Sequence, residues 1–108
     1  MSIFICLVAC PSAEVGSSIA QLLVDKELAA CVQVLPPMRS VYRWKGEVCI
    51  DEEVLLLIKT ADHLTDEVRR VVEEHHPYEV PEFVAIESAE VSEKYAAWLT
   101  TNVRAKAN

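Results

Sequence analysis

Residues 3–9 are apolar without interruption, the pattern of a strand covered on both faces. Pro11 and Ser12 punctuate it, with Ser12 placed to cap a helix and Glu14 in that helix's first turn. Val15, Ile19, Leu22, Leu23 and Lys26 recur at helical spacing, which predicts a helix over about 13–27. Residues 29–34 read as a second, short strand, stopped or bent at Pro36-Pro37 because proline cannot donate to a ladder. Met38, Ser40, Tyr42 and Trp44 then alternate with Arg39, Val41, Arg43 and Lys45 up to a turn at Lys45-Gly46. A long strand over 48–59 returns from that turn and ends in the apolar run 54–58.

The second half repeats the theme. Asp62 is placed to cap a helix whose stripe is Leu64, Val68, Val71, Val72 and His75, and Pro77 stops it. Residues 81–87 read as a strand that contains Phe83-Val84-Ala85-Ile86. Ser92 then opens a last helix with Tyr95, Trp98, Leu99 and Asn102 on one side. The order β-α-β-β-α-β-α, two βαβ halves with a hairpin between them, predicts an α+β ferredoxin-like sandwich, an antiparallel sheet with helices on one face. The other face has no cover from this chain in such an arrangement, and its apolar strands favour packing on another subunit.

Hairpin arms of roughly 14 residues would span about 45 Å, whereas a domain of this size is nearer 35 Å across, from a radius of gyration of about 13 Å. The tip, with Tyr42 and Trp44, is therefore expected to project beyond its own core and to be covered by a neighbour as an oligomer interface.

Length and composition narrow the classes. The chain of 108 residues suits one domain, 1–108, with its own core. Its two glycines leave no phosphate-cradling loop. A net charge of −7, from 17 acidic and 10 basic residues, argues against nucleic acid or an anionic membrane as partner, since phosphate affinity needs clustered Lys and Arg. The apolar start lacks a basic leader and is too short to span a bilayer, so a cytoplasmic protein is expected, with Cys6, Cys10, Cys31 and Cys49 as reduced thiols. Cys6 and Cys10 stand roughly 13 Å apart on one strand, too far for a bridge.

Candidate chemistry concentrates in 75–82, His-His-Pro-Tyr-Glu-Val-Pro-Glu. Two of the three histidines are here, at a helix end, and imidazole is the commonest metal ligand. His75 also fits the helix's packing stripe, and His76 also fits a cap on the helix C-terminus. Cys31 is either a buried inert thiol or a soft copper ligand. Cys49 reads as surface or interface, and Met38 as packing. Lys59, Tyr78, Glu79 and Glu82 form a second constellation, either a cleft for a small ligand or an interface salt-bridge network with Lys59 paired to a glutamate. No nucleophile with an evident base, no HExxH and no CxxC is present, so an enzyme is not expected. The turn Cys10-Pro11-Ser12-Ala13-Glu14 is acidic and proline-blocked, unlike the phosphate loop of an acylphosphatase.

Several ordered blocks resemble the CutA divalent-cation tolerance family across nearly the whole chain: Ala29-Ala30-Cys31-Val32, Tyr42-Arg43-Trp44-Lys45-Gly46-Glu47, Ile58-Lys59-Thr60 and His76-Pro77-Tyr78-Glu79-Val80-Pro81-Glu82. Cys10-Pro11 and Tyr95-x-x-Trp98 fit as well. The resemblance implies a tight homotrimer of ferredoxin-like protomers with long hairpins reaching onto neighbours. It also implies copper or another divalent cation as a bound, non-obligatory ligand, in the service of metal tolerance. The family's copper site is a histidine pair after the second helix, matched by His75 and His76, with a first-strand cysteine whose position here is Val8, between Cys6 and Cys10 on the same face. His75, His76 and either Cys31 or Cys10 are thus the expected metal ligands. The alternative is a signalling or scaffold trimer, similar to the nitrogen-regulatory PII proteins, that takes a metabolite or a protein partner at its subunit clefts.

Overall fold

The computed structural model describes residues 2–107. Strand β1 (Ile3–Cys10) lies inside an antiparallel sheet, between β4 (Glu47–Ala61) and β5 (Val84–Glu87). On the far side of β4, one edge is shared by β2 (Cys31–Val34) and β3 (Met38–Trp44). The predicted bend at Pro36-Pro37 is thus a break between two strands that both continue along β4. The sheet order β2-β4-β1-β5, with α1 (Ala13–Asp25) and α2 (Thr65–His75) joining its halves, is the ferredoxin-like topology. α3 (Glu93–Thr101) ends the fold.

Strand register sorts the residues. Cys6, Val8 and Cys10 pair with Ile58, Leu56 and Val54, all buried on the face that α1 and α2 cover with Ile19, Leu23, Val68 and Val72. Gly16 lets α1 approach β4, because a Cβ there would stand 3.1 Å from both Leu56 and Val54 side chains. Ser12 caps α1 as expected, accepting from Val15 N–H at 3.2 Å. The helix ends at Asp25, and Glu27 follows with φ +57°, a left-handed conformation usually given to glycine. Asp62 does not cap α2 directly; it opens a short 3-10 turn (Asp62–Leu64), and its carboxylate accepts from Ser2 N–H at 3.1 Å. Ser92 holds the N-cap position of α3 without a side-chain bond.

The opposite face carries Ile5, Leu7, Leu55 and Leu57, with Val84 and Ile86 48% and 49% exposed. Contrary to expectation, this face has some cover from its own chain. Lys59 lies on it and holds its ammonium 5.6 Å over the Tyr95 ring, which brings α3 round to this end. The hairpin of β3 and β4 closes at Lys45 and Gly46, both with positive φ (49° and 82°), as a two-residue type I′ turn requires. It runs past the core and stretches the molecule to 45 × 26 × 23 Å.

Candidate functional site

α2 stops at His75 because the residue before Pro77 is driven out of helical conformation; His76 is extended at φ −86°, ψ 136°. That geometry tucks the His76 ring inside, 7% exposed, where Nε2 donates to Ala9 O at 2.7 Å and Nδ1 accepts from Tyr78 N–H at 3.1 Å. A carbonyl can only accept, so the proton sits on Nε2 and the ring is the neutral tautomer. The Tyr78 ring packs against it with centroids 4.7 Å apart, and Tyr78 O–H donates to Glu53 Oε2 at 2.8 Å. One continuous chain of contacts therefore joins the end of β1, the end of α2 and the middle of β4.

Beside this chain lies a groove of about 830 Å³ between the β3 arm of the hairpin and the 77–82 loop. Its walls include Tyr42, Trp44, Glu53, Tyr78, Glu79 and Glu82. Burial, and then the negative charge of Glu53, push the Glu82 carboxyl above its usual range. Burial, and then the bond to Glu53, keep the Tyr78 hydroxyl protonated. Tyr42 donates its hydroxyl to Asp51 across the hairpin, which pushes its pKa up to about 12. The groove is thus net acidic and rich in aromatic surface.

The four residues expected to bind metal do not meet in one protomer. His75 is exposed at the C-terminal end of α2, where with Ser18, Gln21 and Asp25 of α1 it lines a shallow depression between the two helices. Both ring nitrogens of His76 are already bonded, to Ala9 O and Tyr78 N–H rather than to the last carbonyls of α2, so the ring braces β1 against the following loop and a ligand role would break two buried hydrogen bonds. Cys10 is fully buried on the helix-covered face, and burial followed by Glu53 raises its thiol to about 11, away from the thiolate a metal needs. Cys31 pairs with Lys59 and lies on the other face of the sheet. Among the described residues, no three histidine, cysteine, aspartate or glutamate side chains converge to hold a metal ion.

The second constellation fares better. Tyr78, Glu79 and Glu82 line the groove, but Lys59 does not; it is six residues from Glu53, about 20 Å along β4. Its ammonium rests on Tyr95, so the expected pairing with a glutamate is replaced by a cation–π contact. Sequence reasoning missed Glu53 and Asp51. A signal existed, since Glu53 directly precedes the buried run of β4 and shares a face with Asp51, Tyr42 and Trp44.

Among the described residues, no helix is long and apolar enough to cross a membrane. Residues 4–102 match the CutA1 divalent ion tolerance protein family. The divalent-cation tolerance protein CutA of Thermus thermophilus is 47% identical over 96 residues, 89% of this chain and 93% of that protein. The chloroplastic protein CutA of Arabidopsis thaliana is 40% identical over 97 residues, 90% of this chain but only 53% of its own length. The chain thus spans nearly all of the bacterial relative and about half of the plant one. The crystal structure of CutA1 from Oryza sativa superposes with a TM-score of 0.94 at 36% identity, covering 98% of this chain and 97% of that one. A family match over almost the whole sequence, on the same ferredoxin-like framework, places the chain in the CutA1 divalent ion tolerance family.

Proposed function

We propose that the protein is a cytoplasmic, non-enzymatic homotrimer that binds a divalent cation and contributes to metal tolerance. Support comes from the family's name and from one observation of charge. Glu53 and Glu82 share a groove in which burial and mutual repulsion hold the Glu82 carboxyl up, and a bound cation would relieve both. Glu53 and Glu82 are fewer donors than a metal requires, and Glu79 of the same wall does not converge with them, so a neighbouring subunit completes the coordination. Oxygen donors suit hard and borderline divalent ions, Cu(II) included, rather than Cu(I). Binding weakens as pH falls, and sooner than at an ordinary carboxylate site, because the raised Glu82 carboxyl takes up its proton at higher pH. Tyr42 and Trp44, 41% and 40% exposed on the hairpin, are the residues a neighbour would cover. An acidic groove without Lys59 also selects cations over the anionic metabolites that a PII-like sensor would bind.

Native mass spectrometry of the reduced protein, titrated with copper against a competing chelator, tests the proposal. A trimer with a fixed copper count per chain, lost in Glu53→Gln/Glu82→Gln and retained in His75→Ala, is expected. Loss only in the His75 variant would move the metal to the depression between α1 and α2 and refute the groove assignment.

A further inference from the structure

Arg104, past the end of α3, fastens the last part of the chain to the end of α1 and the start of α2. Its N–H donates to Glu27 O at 2.8 Å, its Nε donates to Lys26 O at 3.0 Å, and its Nη2 stands 3.4 Å from Glu67 Oε2. Arg104 O in turn accepts from His63 Nε2 at 2.8 Å. A carbonyl can only accept, so the proton of the neutral His63 ring sits on Nε2 and leaves a bare lone pair on Nδ1. Nδ1 is sealed from solvent and has no hydrogen-bond partner, on a side chain 11% exposed. Among the described residues, no other buried side-chain nitrogen or oxygen is left in that state.

Asp62 Oδ1 stands 3.6 Å from this nitrogen. The carboxylate is anchored to the start of β1: Oδ2 accepts from Ser2 N–H, and the Asp62 N–H donates to Ser2 O at 2.9 Å. The Ser2 bond holds the Asp62 carboxyl below its usual range, so it is charged wherever an imidazole titrates. The neutral ring therefore turns a lone pair toward an anion, and a buried acceptor without a donor is costly. A water or a metal ion needs room beside Nδ1 that a sealed atom lacks, whereas a proton needs none. We propose that His63 is a proton-operated latch: a proton on Nδ1 gives the ring a donor toward Asp62 and strengthens its hold on Arg104 O. Both ring bonds then become charge-assisted, one within the 3-10 turn and one to the segment after α3. Of the cations on the elements that meet there, Arg104 turns its guanidinium to Glu67, while Lys26, like the acidic Glu27, approaches through its carbonyl. These partners exist only in the folded chain. The added stability is thus present on the acid side of the imidazole's ordinary range, about 6.5, and is lost as pH rises past neutrality. Asp62, His63 and Arg104 take no part in the groove, so the latch stands apart from the metal reading.

Hydrogen exchange of the Arg104 amide tests the latch, followed by NMR at about pH 5.5 and 7.5 and corrected for the intrinsic rate at each. Its protection relative to the core of β1 should rise about threefold to tenfold at the lower pH. A fully buried charge-assisted bond would give more, but the Asp62 side chain is partly exposed and water screens the pair. His63→Gln keeps an amide donor for Arg104 O but has nothing to protonate, and its relative protection should not change with pH. Asp62→Asn keeps an oxygen for Ser2 N–H without the charge, and should shrink the rise. Nitrogen-15 shifts of the His63 ring read the proton itself, which should appear on Nδ1 as protection increases. A rise of equal size in His63→Gln, or protection that increases while Nδ1 stays bare, overturns the proposal.

Discussion

His75 and His76 are adjacent in sequence and opposite in role. The helix end separates them: the His75 ring stays exposed beside α1, while His76, before Pro77, turns inward to bridge Ala9 and Tyr78. The dipeptide announced a special corner, but nothing in it could say which ring would find a carbonyl 67 residues away. The place of Glu53 before the buried run of β4 was a signal, but its burial was not legible, since that depends on a loop that folds over it from the far half of the chain. His76→Ala should cost about 2–4 kcal/mol, from two lost hydrogen bonds and the polar groups they leave bare. His75→Ala, at an exposed position, should fall within about 0.5 kcal/mol of the parent. Urea denaturation at fixed protein concentration separates the two, and equal costs would contradict the bracing role of the His76 ring.

At the scale of elements, periodicity was a good guide wherever one face is buried. The uninterrupted run of β1, the stripes of α1 and α2, and the Lys45-Gly46 turn all follow from local rules, and each is found in place. Ends were less legible. α1 stops two residues short of the predicted 27 because Glu27 enters the left-handed region, and its carbonyl then accepts from Arg104 N–H at 2.8 Å. A glutamate gives no sequence signal for such a cap, whereas glycine would. The left-handed conformation costs an L-residue roughly 1–2 kcal/mol, and glycine's extra chain entropy returns about 0.5–1 of that. Glu27→Gly should therefore stabilise the protein by about 0.5–1 kcal/mol, seen as a higher urea midpoint with an unchanged slope. A lower midpoint would mean that the Glu27 side chain contributes more than its backbone strain removes.

The whole molecule is longer than its core needs to be. Its radius of gyration is 14.5 Å, against about 13 Å for a compact chain of this length, and the projecting hairpin accounts for the excess. The hairpin leaves Val41, Val48 and Ile50 each more than 60% exposed, and the sheet face behind it leaves Val84 and Ile86 half-exposed on the edge strand β5. Apolar edges of this kind invite pairing with another chain unless they are covered. The overlong hairpin was readable from the turn and the strand lengths. Partial cover by α3 was not, because it rests on Lys59 meeting a ring from the far end of the chain. If a second and third copy pack on the open face, one buried charge there should separate them while leaving the helix-covered core intact. Ile86→Glu is the cleanest choice, since Ile86 faces away from α1 and α2 and pairs with Ile5 on that surface. Light scattering after size exclusion should then report monomer in place of trimer, with helix content by circular dichroism preserved. A variant that remains trimeric would place the interface on the hairpin alone, and Trp44→Ala would then be the substitution that dissociates it.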